Sequence, residues 1–195
     1  MRKILIVTIS FITIFTLSAC SGSSFKADME WDVEPFHFTS QRGEEVTLDN
    51  LKGDVWLASF IFTNCETVCP PMTFNMTEVQ EEIMKQGVED YKIIAFSVDP
   101  ETDTPEVLTD YLSMYNVPDE SKWHLLTGYD QSFISQFARN SFKTAVVDDP
   151  QSNQVTHGTS FFLVNQEGKV VKQYSGFKDV PKEQIATDIK LLVEE

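Results

Sequence analysis

Two cysteines and one histidine have the residue types and the setting for metal or redox chemistry. Cys65 and Cys69 lie in the segment TNCETVCPPMT with three residues between them, and His157 follows far downstream in the segment THGT. Thiolates are nucleophiles and soft metal ligands, and imidazole is a common nitrogen ligand of metals. These three side chains could therefore provide a redox-active dithiol or a metal site with two sulfur ligands and one nitrogen ligand.

A disulfide with a purely structural role is the plainest alternative for Cys65 and Cys69. In the chain-entropy model, closing so small a loop would stabilise the fold by about 2 kcal/mol. A chain of 195 residues with 42% hydrophobic content can form a core without such a bridge. Cysteines in a loop before a helix also face unsatisfied N–H groups and the positive end of the helix dipole, which stabilise thiolates. The position therefore favours a chemical role.

The cysteine spacing and the third residue separate redox chemistry from metal binding. A thioredoxin-type redox motif has two residues between its cysteines, not three. Such oxidoreductases commonly place a cis-proline before the strand that faces the cysteines, whereas here residues 156–159 precede that strand without a proline. We expect Gly158 to allow a backbone shape in which the imidazole of His157 reaches the thiols. Two thiolates and one imidazole favour copper, as Cu(I) or Cu(II), because structural zinc takes a fourth ligand and iron–sulfur clusters generally need four cysteines.

Strand-like and helix-like segments alternate around these residues. The hydrophobic pattern predicts strands over residues 35–39, 46–48, 55–62, 92–98 and 124–127, a hairpin of residues 160–164 and 170–174, and helices over residues 72–85, 104–116, 131–140 and 181–193. This order implies right-handed βαβ units followed by a hairpin and a helix. With cysteines between the first long strand and its helix, it predicts an α/β thioredoxin-like fold, a central mixed sheet flanked by helices.

The remaining candidate groups are interpreted as structural. His37 and His124 lie in strand-like segments that are distant in sequence from the cysteines. Met72 and Met76 are four residues apart on the predicted helix, a spacing typical of core packing, although thioethers could contact copper transiently. Thr104 is expected to cap the helix that starts at the next residue.

The N-terminus resembles a secretion signal. Two basic residues precede an uncharged apolar run over residues 4–19, which is shorter than the ~20 residues that cross a bilayer. The run ends in Leu17-Ser18-Ala19-Cys20, which resembles a bacterial lipobox. We therefore expect residues 1–19 to be a lipoprotein signal peptide and Cys20 to be the lipidated mature N-terminus. An uncleaved membrane anchor is the alternative, and both interpretations place the rest of the chain at the extracytoplasmic face of the cell membrane.

The charge of the chain bounds its partners. The formal net charge is −15, which disfavours binding to nucleic acid. It also disfavours attachment to an anionic bilayer by charge, so the lipid would hold the protein there. The polar residues 20–34 are expected to form a flexible tether, and residues 35–195 a single domain.

Three segments together resemble the Sco/SenC family. They are Cys65-Glu-Thr-Val-Cys69-Pro70, the stretch SVDPETDTP from 97 to 105, and the late His157, and the similarity runs from about residue 35 to the C-terminus. The resemblance implies that Cys65, Cys69 and His157 bind copper and that the protein helps to assemble the dinuclear CuA centre in subunit II of cytochrome c oxidase. In that role the dithiol holds copper and the disulfide releases it. Asp99 and Asp103 belong to the family motif, but no physical argument from sequence makes either a ligand.

Two alternatives stay open. An extracytoplasmic thiol–disulfide reductase, itself regenerated by a thiol reductant protein, could use the same dithiol to keep the target's cysteines reduced, with His157 tuning the thiolate. A thiol peroxidase is a third, weaker hypothesis, because thioredoxin-like folds also host such enzymes. The sequence favours the copper-binding assembly factor over a classical enzyme.

Overall fold

The computed structural model describes residues 24–148 and 154–195. The predicted signal peptide, Cys20 and the first residues of the predicted tether lie outside the described residues. Among the helices that are described, none is long and apolar enough to cross a membrane.

The described chain alternates between strands and helices, as the hydrophobic pattern predicts. The strands are β1 (Trp31–Asp32), β2 (His37–Ser40), β3 (Glu45–Thr47), β4 (Val55–Ile61), β5 (Tyr91–Ser97), β6 (Trp123–Thr127), β7 (Val146–Asp148), β8 (Val155–His157), β9 (Ser160–Val164) and β10 (Lys169–Ser175). The helices are α1 (Leu48–Leu51), α2 (Cys69–Lys85), α3 (Pro105–Ser113), α4 (Gln131–Phe142) and α5 (Lys182–Val193), with a short 3-10 helix at Glu120–Lys122.

Eight of these strands form one mixed sheet in the order β1-β10-β9-β4-β5-β6-β2-β3. The central strands β4, β5 and β6 are parallel, and the outer pairs are antiparallel. All seven residues of β4 are buried, as expected for an apolar run that is covered on both faces. Apolar residues of α2, α3 and α5 pack on one face of the sheet, and those of α1 and α4 on the other. This is the predicted thioredoxin-like α/β fold.

Local signals set two of the helix starts. The side chain of Thr104 caps α3 by accepting a hydrogen bond from the backbone N–H of Val107, and Pro105 is the first helical residue. Helix α2 begins at Cys69, three residues earlier than predicted. Pro70 and Pro71 fit inside its first turn because the N–H groups there have no intrahelical partner to lose. Cys69 therefore belongs to the helix and not to the loop before it.

The sheet begins earlier in the chain than the sequence indicates. Trp31 and Asp32 pair with β10, and Val33 is only 5% exposed. The backbone N–H of Asp28 also donates to the carbonyl of Val171 at 2.9 Å. The expectation of a tether through residue 34 is therefore corrected. A polar segment can add to a sheet edge because the backbone supplies the hydrogen bonds.

Candidate metal centre

The loop from β4 to α2 holds the first thiol directly above the helix start. The backbone N–H of Cys65 donates to the carbonyl of Phe62 at 3.3 Å, which folds the loop back on the strand end. The backbone N–H of Cys69 in turn donates to the sulfur of Cys65 at 3.3 Å. Cys65 is 7% exposed, Cys69 is fully buried, and both are free thiols. The helix start thus directs an N–H group at the Cys65 sulfur, as expected for a thiolate site.

His157 reaches the thiols from a second, small sheet. Strands β7 and β8 pair only with each other in the described chain, and Val146 is opposite His157 in their register. The imidazole Nε2 of His157 lies 3.2 Å from the Cys69 sulfur. Its Nδ1 lies 2.9 Å from the carbonyl oxygen of Gly158. Since a carbonyl can only accept, Nδ1 donates to it, and Nε2 is the ring nitrogen that faces the sulfur atoms.

Aromatic packing also orients the imidazole. The ring of Phe62 meets that of His157 edge to face, with centroids 5.8 Å apart and an interplanar angle of 85°. His157 is 9% exposed. The Gly158 carbonyl and the Phe62 ring together fix the orientation of the imidazole, so its Nε2 is positioned in advance to bind a metal.

Gly158 serves this arrangement for a different reason from the one expected. Its φ is not positive, so no unusual backbone shape is required. A Cβ at this position would instead lie 2.2 Å from the hydroxyl oxygen of Thr144. Glycine at this position leaves room for the side chain of Thr144, which lies in the segment that joins α4 to β7.

The three donor atoms converge. The sulfur atoms of Cys65 and Cys69 and a ring nitrogen of His157 all lie within 4.8 Å of one another, and within the described ranges no further histidine, cysteine or carboxylate joins this group. Two sulfurs and one imidazole form a soft donor set that suits copper, while a structural zinc site would take a fourth protein ligand. The sequence predicted these three residues, and the fold brings them together.

The two thiols are electrostatically unequal. The hydrogen bond from the Cys69 side chain is the largest of the effects that lower the pKa of Cys65, and His157 and backbone N–H groups add to it against the opposing effect of burial. The same hydrogen bond, together with burial, raises the pKa of Cys69. The reduced pair therefore carries a thiolate at Cys65 and a thiol at Cys69. The Cys65 sulfur, the less buried of the two, can bind a cation or attack an electrophile.

The other candidate residues lie apart from this group. His37 is an exposed side chain that pairs with Glu45 at 3.1 Å. His124 contacts Arg42 at 3.4 Å. Met72 and Met76 are each 1% exposed within the core, as predicted from their helical spacing.

The acidic residues of the stretch from 97 to 105 also lie outside the group of converging side chains. Asp103 is fully buried and hydrogen-bonds to Thr63 in the loop that leads to Cys65. Sequence reasoning missed this contact, and the only available signal was the position of Asp103 in a family motif.

Comparisons with known proteins point the same way as the geometry. The sequence profile of the family described as SCO1/SenC matches residues 26–194. The chain is 45% identical over 190 residues to the "SCO1 protein homolog" of Bacillus subtilis (strain 168), an alignment that covers 97% of each protein.

Two solved structures are similar across the whole domain. One is BsSco, described as a member of the Sco family of cytochrome c oxidase assembly proteins, with a TM-score of 0.80 and 45% identity over 87% of this chain and 98% of that one. The other is Bradyrhizobium japonicum ScoI with copper bound, with a TM-score of 0.70 and 29% identity over 83% of this chain and 99% of that one. A family profile over residues 26–194, together with a Cys-Cys-His group that joins the start of α2 to the end of β8, assigns this chain to the SCO1/SenC family.

Proposed function

We propose that this protein is a copper metallochaperone that assists assembly of the CuA centre in subunit II of cytochrome c oxidase. The observation that carries the proposal is the convergence of two cysteine sulfurs and one imidazole nitrogen within 4.8 Å. Copper bound to the related ScoI, and the assembly role given to BsSco, support the choice of metal and of pathway. In this proposal Cys65, Cys69 and His157 are the copper ligands.

The donor set suits a metal that must later leave. Three protein donors satisfy Cu(I), and Cu(II) can use the same thiolates and imidazole. Nearly complete burial of the three side chains limits competition from water. In this proposal copper is cargo. The site holds it until the ligands of a recipient protein with more donors take the place of the two thiolates and the imidazole.

Thiol oxidation offers a way to couple release to redox state. Cys65 and Cys69 approach each other at the helix start, so the pair could form a disulfide by losing two electrons and its protons to an oxidant. That change would remove two of the three donors and leave His157 alone. Return to the dithiol requires two electrons, which a thiol reductant protein would supply.

Membrane attachment is part of the proposal. The lipobox-like sequence that ends at Cys20 supports a lipid anchor on the extracytoplasmic face of the membrane. The described domain starts its hydrogen bonding at residue 28, which leaves only a short polar stretch after Cys20. The domain would then work close to the bilayer that holds the oxidase.

A thiol–disulfide reductase is the second candidate, and the low pKa of Cys65 favours it. A reductase needs the thiolate at Cys65 and a resolving Cys69, whereas His157 would only tune the reaction. Reduction of an oxidised oxidase-type peptide by the metal-free dithiol, at a rate that His157→Ala changes only modestly, would support this second role.

Copper titration of the reduced protein tests the leading proposal. We expect one equivalent to bind tightly and, as Cu(II), to give an intense thiolate-to-copper charge-transfer band. Cys65→Ser, Cys69→Ser and His157→Ala should each abolish that band or shift it strongly. A reduced wild-type protein that binds copper no more tightly than these variants would contradict the proposal.

A further inference from the structure

We infer that Asp103 is a positioning residue of the metal centre, because its buried carboxylate clamps the loop that carries Cys65. The inference rests on the proposed function only for the identity of the metal. The contact itself is a property of the metal-free protein, and it connects the loop after β4 to the loop after β5.

Three donors converge on the carboxylate. The hydroxyl of Thr63 donates to Oδ1 at 2.6 Å, and the backbone N–H of Thr63 donates to the same oxygen at 3.2 Å. The hydroxyl of Ser97 donates to Oδ2 at 2.5 Å. Asp103 is 0% exposed. Burial of a carboxylate is costly unless such donors surround it.

The cost of burying the Asp103 carboxylate indicates that the residue does more than fill space in the core. A well-packed apolar side chain at a buried position often stabilises a fold as well as a buried charge does. Unlike an apolar side chain, the carboxylate fixes the relative positions of two segments. Its Oδ1 accepts from Thr63 in the loop after β4, and its Oδ2 accepts from Ser97 at the end of β5. Thr63 lies two residues before Cys65, between the end of β4 at Ile61 and the first residue of α2. The clamp therefore acts on the part of the loop that is not held by regular structure.

The other side of the clamp is rigid. The backbone N–H of Asp103 donates to the carbonyl of Asp99 at 2.9 Å, which closes a turn directly before the capped start of α3. The hydroxyl of the partly buried Tyr129 lies 2.8 Å from the carbonyl oxygen of Ser97 and 2.7 Å from that of Leu126, and so ties the end of β5 to β6. A loop that is hydrogen-bonded to such a support is held in place by it.

The three ligands depend on this clamp to different extents. Cys69 is held by α2, and His157 is held by β8 and by Phe62. Cys65 is neither in a helix nor in a strand. Besides the Cys69 and His157 side chains, its sulfur contacts the backbone N–H of Cys69 at 3.3 Å and the Thr67 hydroxyl at 3.9 Å. Loss of the clamp should therefore displace Cys65 relative to the other two donors, while the fold around Cys69 and His157 persists.

Four variants test the clamp. Asp103→Ala removes all three hydrogen bonds, whereas Asp103→Asn keeps an acceptor oxygen for Thr63 and presents an amide donor to the Ser97 hydroxyl. Thr63→Val removes one donor and leaves Asp103 in place. Thr77→Val is the control for loss of a threonine hydroxyl, because the hydroxyl of the buried Thr77 donates to the carbonyl of Phe74 within α2 and not to the clamp.

Three measurements are made on each variant: copper affinity by competition, the Cu(II)–thiolate charge-transfer spectrum, and the alkylation rate of Cys65 in the metal-free protein at a single pH. We expect Asp103→Ala to weaken copper binding by about 10- to 100-fold, as loss of a supporting hydrogen bond around a metal ligand commonly does. Its charge-transfer band and alkylation rate should also change. Thr63→Val should show a smaller effect of the same kind, and Asp103→Asn and Thr77→Val should stay within about 3-fold of the wild type.

The outcomes separate the clamp from the proposed function. A folded Asp103→Ala protein with the wild-type affinity, spectrum and alkylation rate would overturn the clamp and leave copper binding intact. If Asp103→Ala fails to fold, Thr63→Val decides, and its equivalence to Thr77→Val would overturn the inference. Should the wild type bind no copper, the proposed function fails, but the alkylation rates of the same four variants still test whether Asp103 positions Cys65.

Discussion

The Nε2 atom of His157 lies 3.2 Å from the sulfur of Cys69, although 88 positions separate the two residues in the chain. The distance joins a residue of the first turn of α2 to the last residue of β8. Neither element contacts the other through regular hydrogen bonding, so the donor set exists only in the folded protein. Metal binding should therefore stabilise the native state, as expected for a ligand that binds only the folded chain.

Removal of the imidazole should weaken copper binding without unfolding the protein. His157→Ala leaves two sulfur ligands, and we expect an affinity loss of about 100-fold or more together with loss of the Cu(II)–thiolate band of the wild type. His37→Ala is the matched control, since His37 is exposed and pairs with Glu45 away from the thiols. Undiminished affinity and an unchanged spectrum in His157→Ala would rule out the three-ligand site.

Cys65 should react as a thiolate in mildly acidic solution. The Cys69 side chain, His157 and backbone N–H groups all lower its pKa. We expect alkylation of the metal-free dithiol by iodoacetamide to be about 10-fold or more faster at pH 6 than that of an ordinary thiol, which is almost wholly protonated there. The fast reaction should vanish in Cys65→Ser, because the pKa of the remaining Cys69 is raised by burial. A rate that rises about tenfold per pH unit from 5 to 8 would refute a thiolate at Cys65.

A methyl group at position 158 should disturb the site through Thr144. The Cβ of Gly158→Ala would lie 2.2 Å from the Thr144 hydroxyl oxygen, so we expect a loss of about 1–3 kcal/mol in the free energy of unfolding. Copper affinity should fall as well, since the Gly158 carbonyl orients His157. Urea unfolding of Gly158→Ala, of Thr144→Ala and of the double variant measures the coupling between the two substitutions in the free energy of unfolding. Recovery of stability in the double variant is expected, and strictly additive losses would show that the clash is not the cause.

His124 should make the fold less stable in acid. Burial is the main cause that lowers its pKa to about 4, and the positive charges of Arg42 and Lys92 add to the effect. An unfolded histidine titrates near 6.5. As the pH falls from about 6.5 to 4, the unfolded chain takes up a proton that the folded chain refuses, so stability is lost in that window.

Substitution of His124 should remove this loss. We expect His124→Gln to lose about 1 kcal/mol less than the wild type between pH 7 and pH 4.5, a value reduced because solvent screens this partly exposed group. Urea unfolding curves at several pH values measure the difference. Parallel pH profiles for the two proteins would show that another group carries the acid sensitivity.

Local and periodic signals predicted the elements that frame the site. The apolar run before the cysteines became the fully buried β4, and Thr104 and Pro105 start α3 as their residue types indicate. The hairpin turn from Asn165 to Gly168 is also formed, with the Gly168 N–H donating to the Asn165 carbonyl at 2.9 Å. In these cases a few neighbouring residues contain the whole physical reason for the structure.

Features that depend on distant contacts were not predictable in the same way. Strands β1 and β7 have two and three residues, too few for a periodic pattern, and each is defined by its partner strand. The role of Gly158 depends on Thr144, and that of Asp103 on Thr63, which lies 40 positions away. Sequence could place Gly158 beside His157 and Asp103 in a family motif but could not say what either residue contacts.

The placement of His157 on β8 divides the centre between two sheets that fold on separate hydrogen-bond ladders. The thiols belong to the large sheet and its helix, whereas the imidazole belongs to the small one. Changes in β7 and β8 can therefore alter how strongly the third donor is offered without altering the register of the eight-stranded sheet. Substitutions in this short two-stranded ribbon would then change the affinity for copper, while the dithiol and the sheet that supports it stay the same.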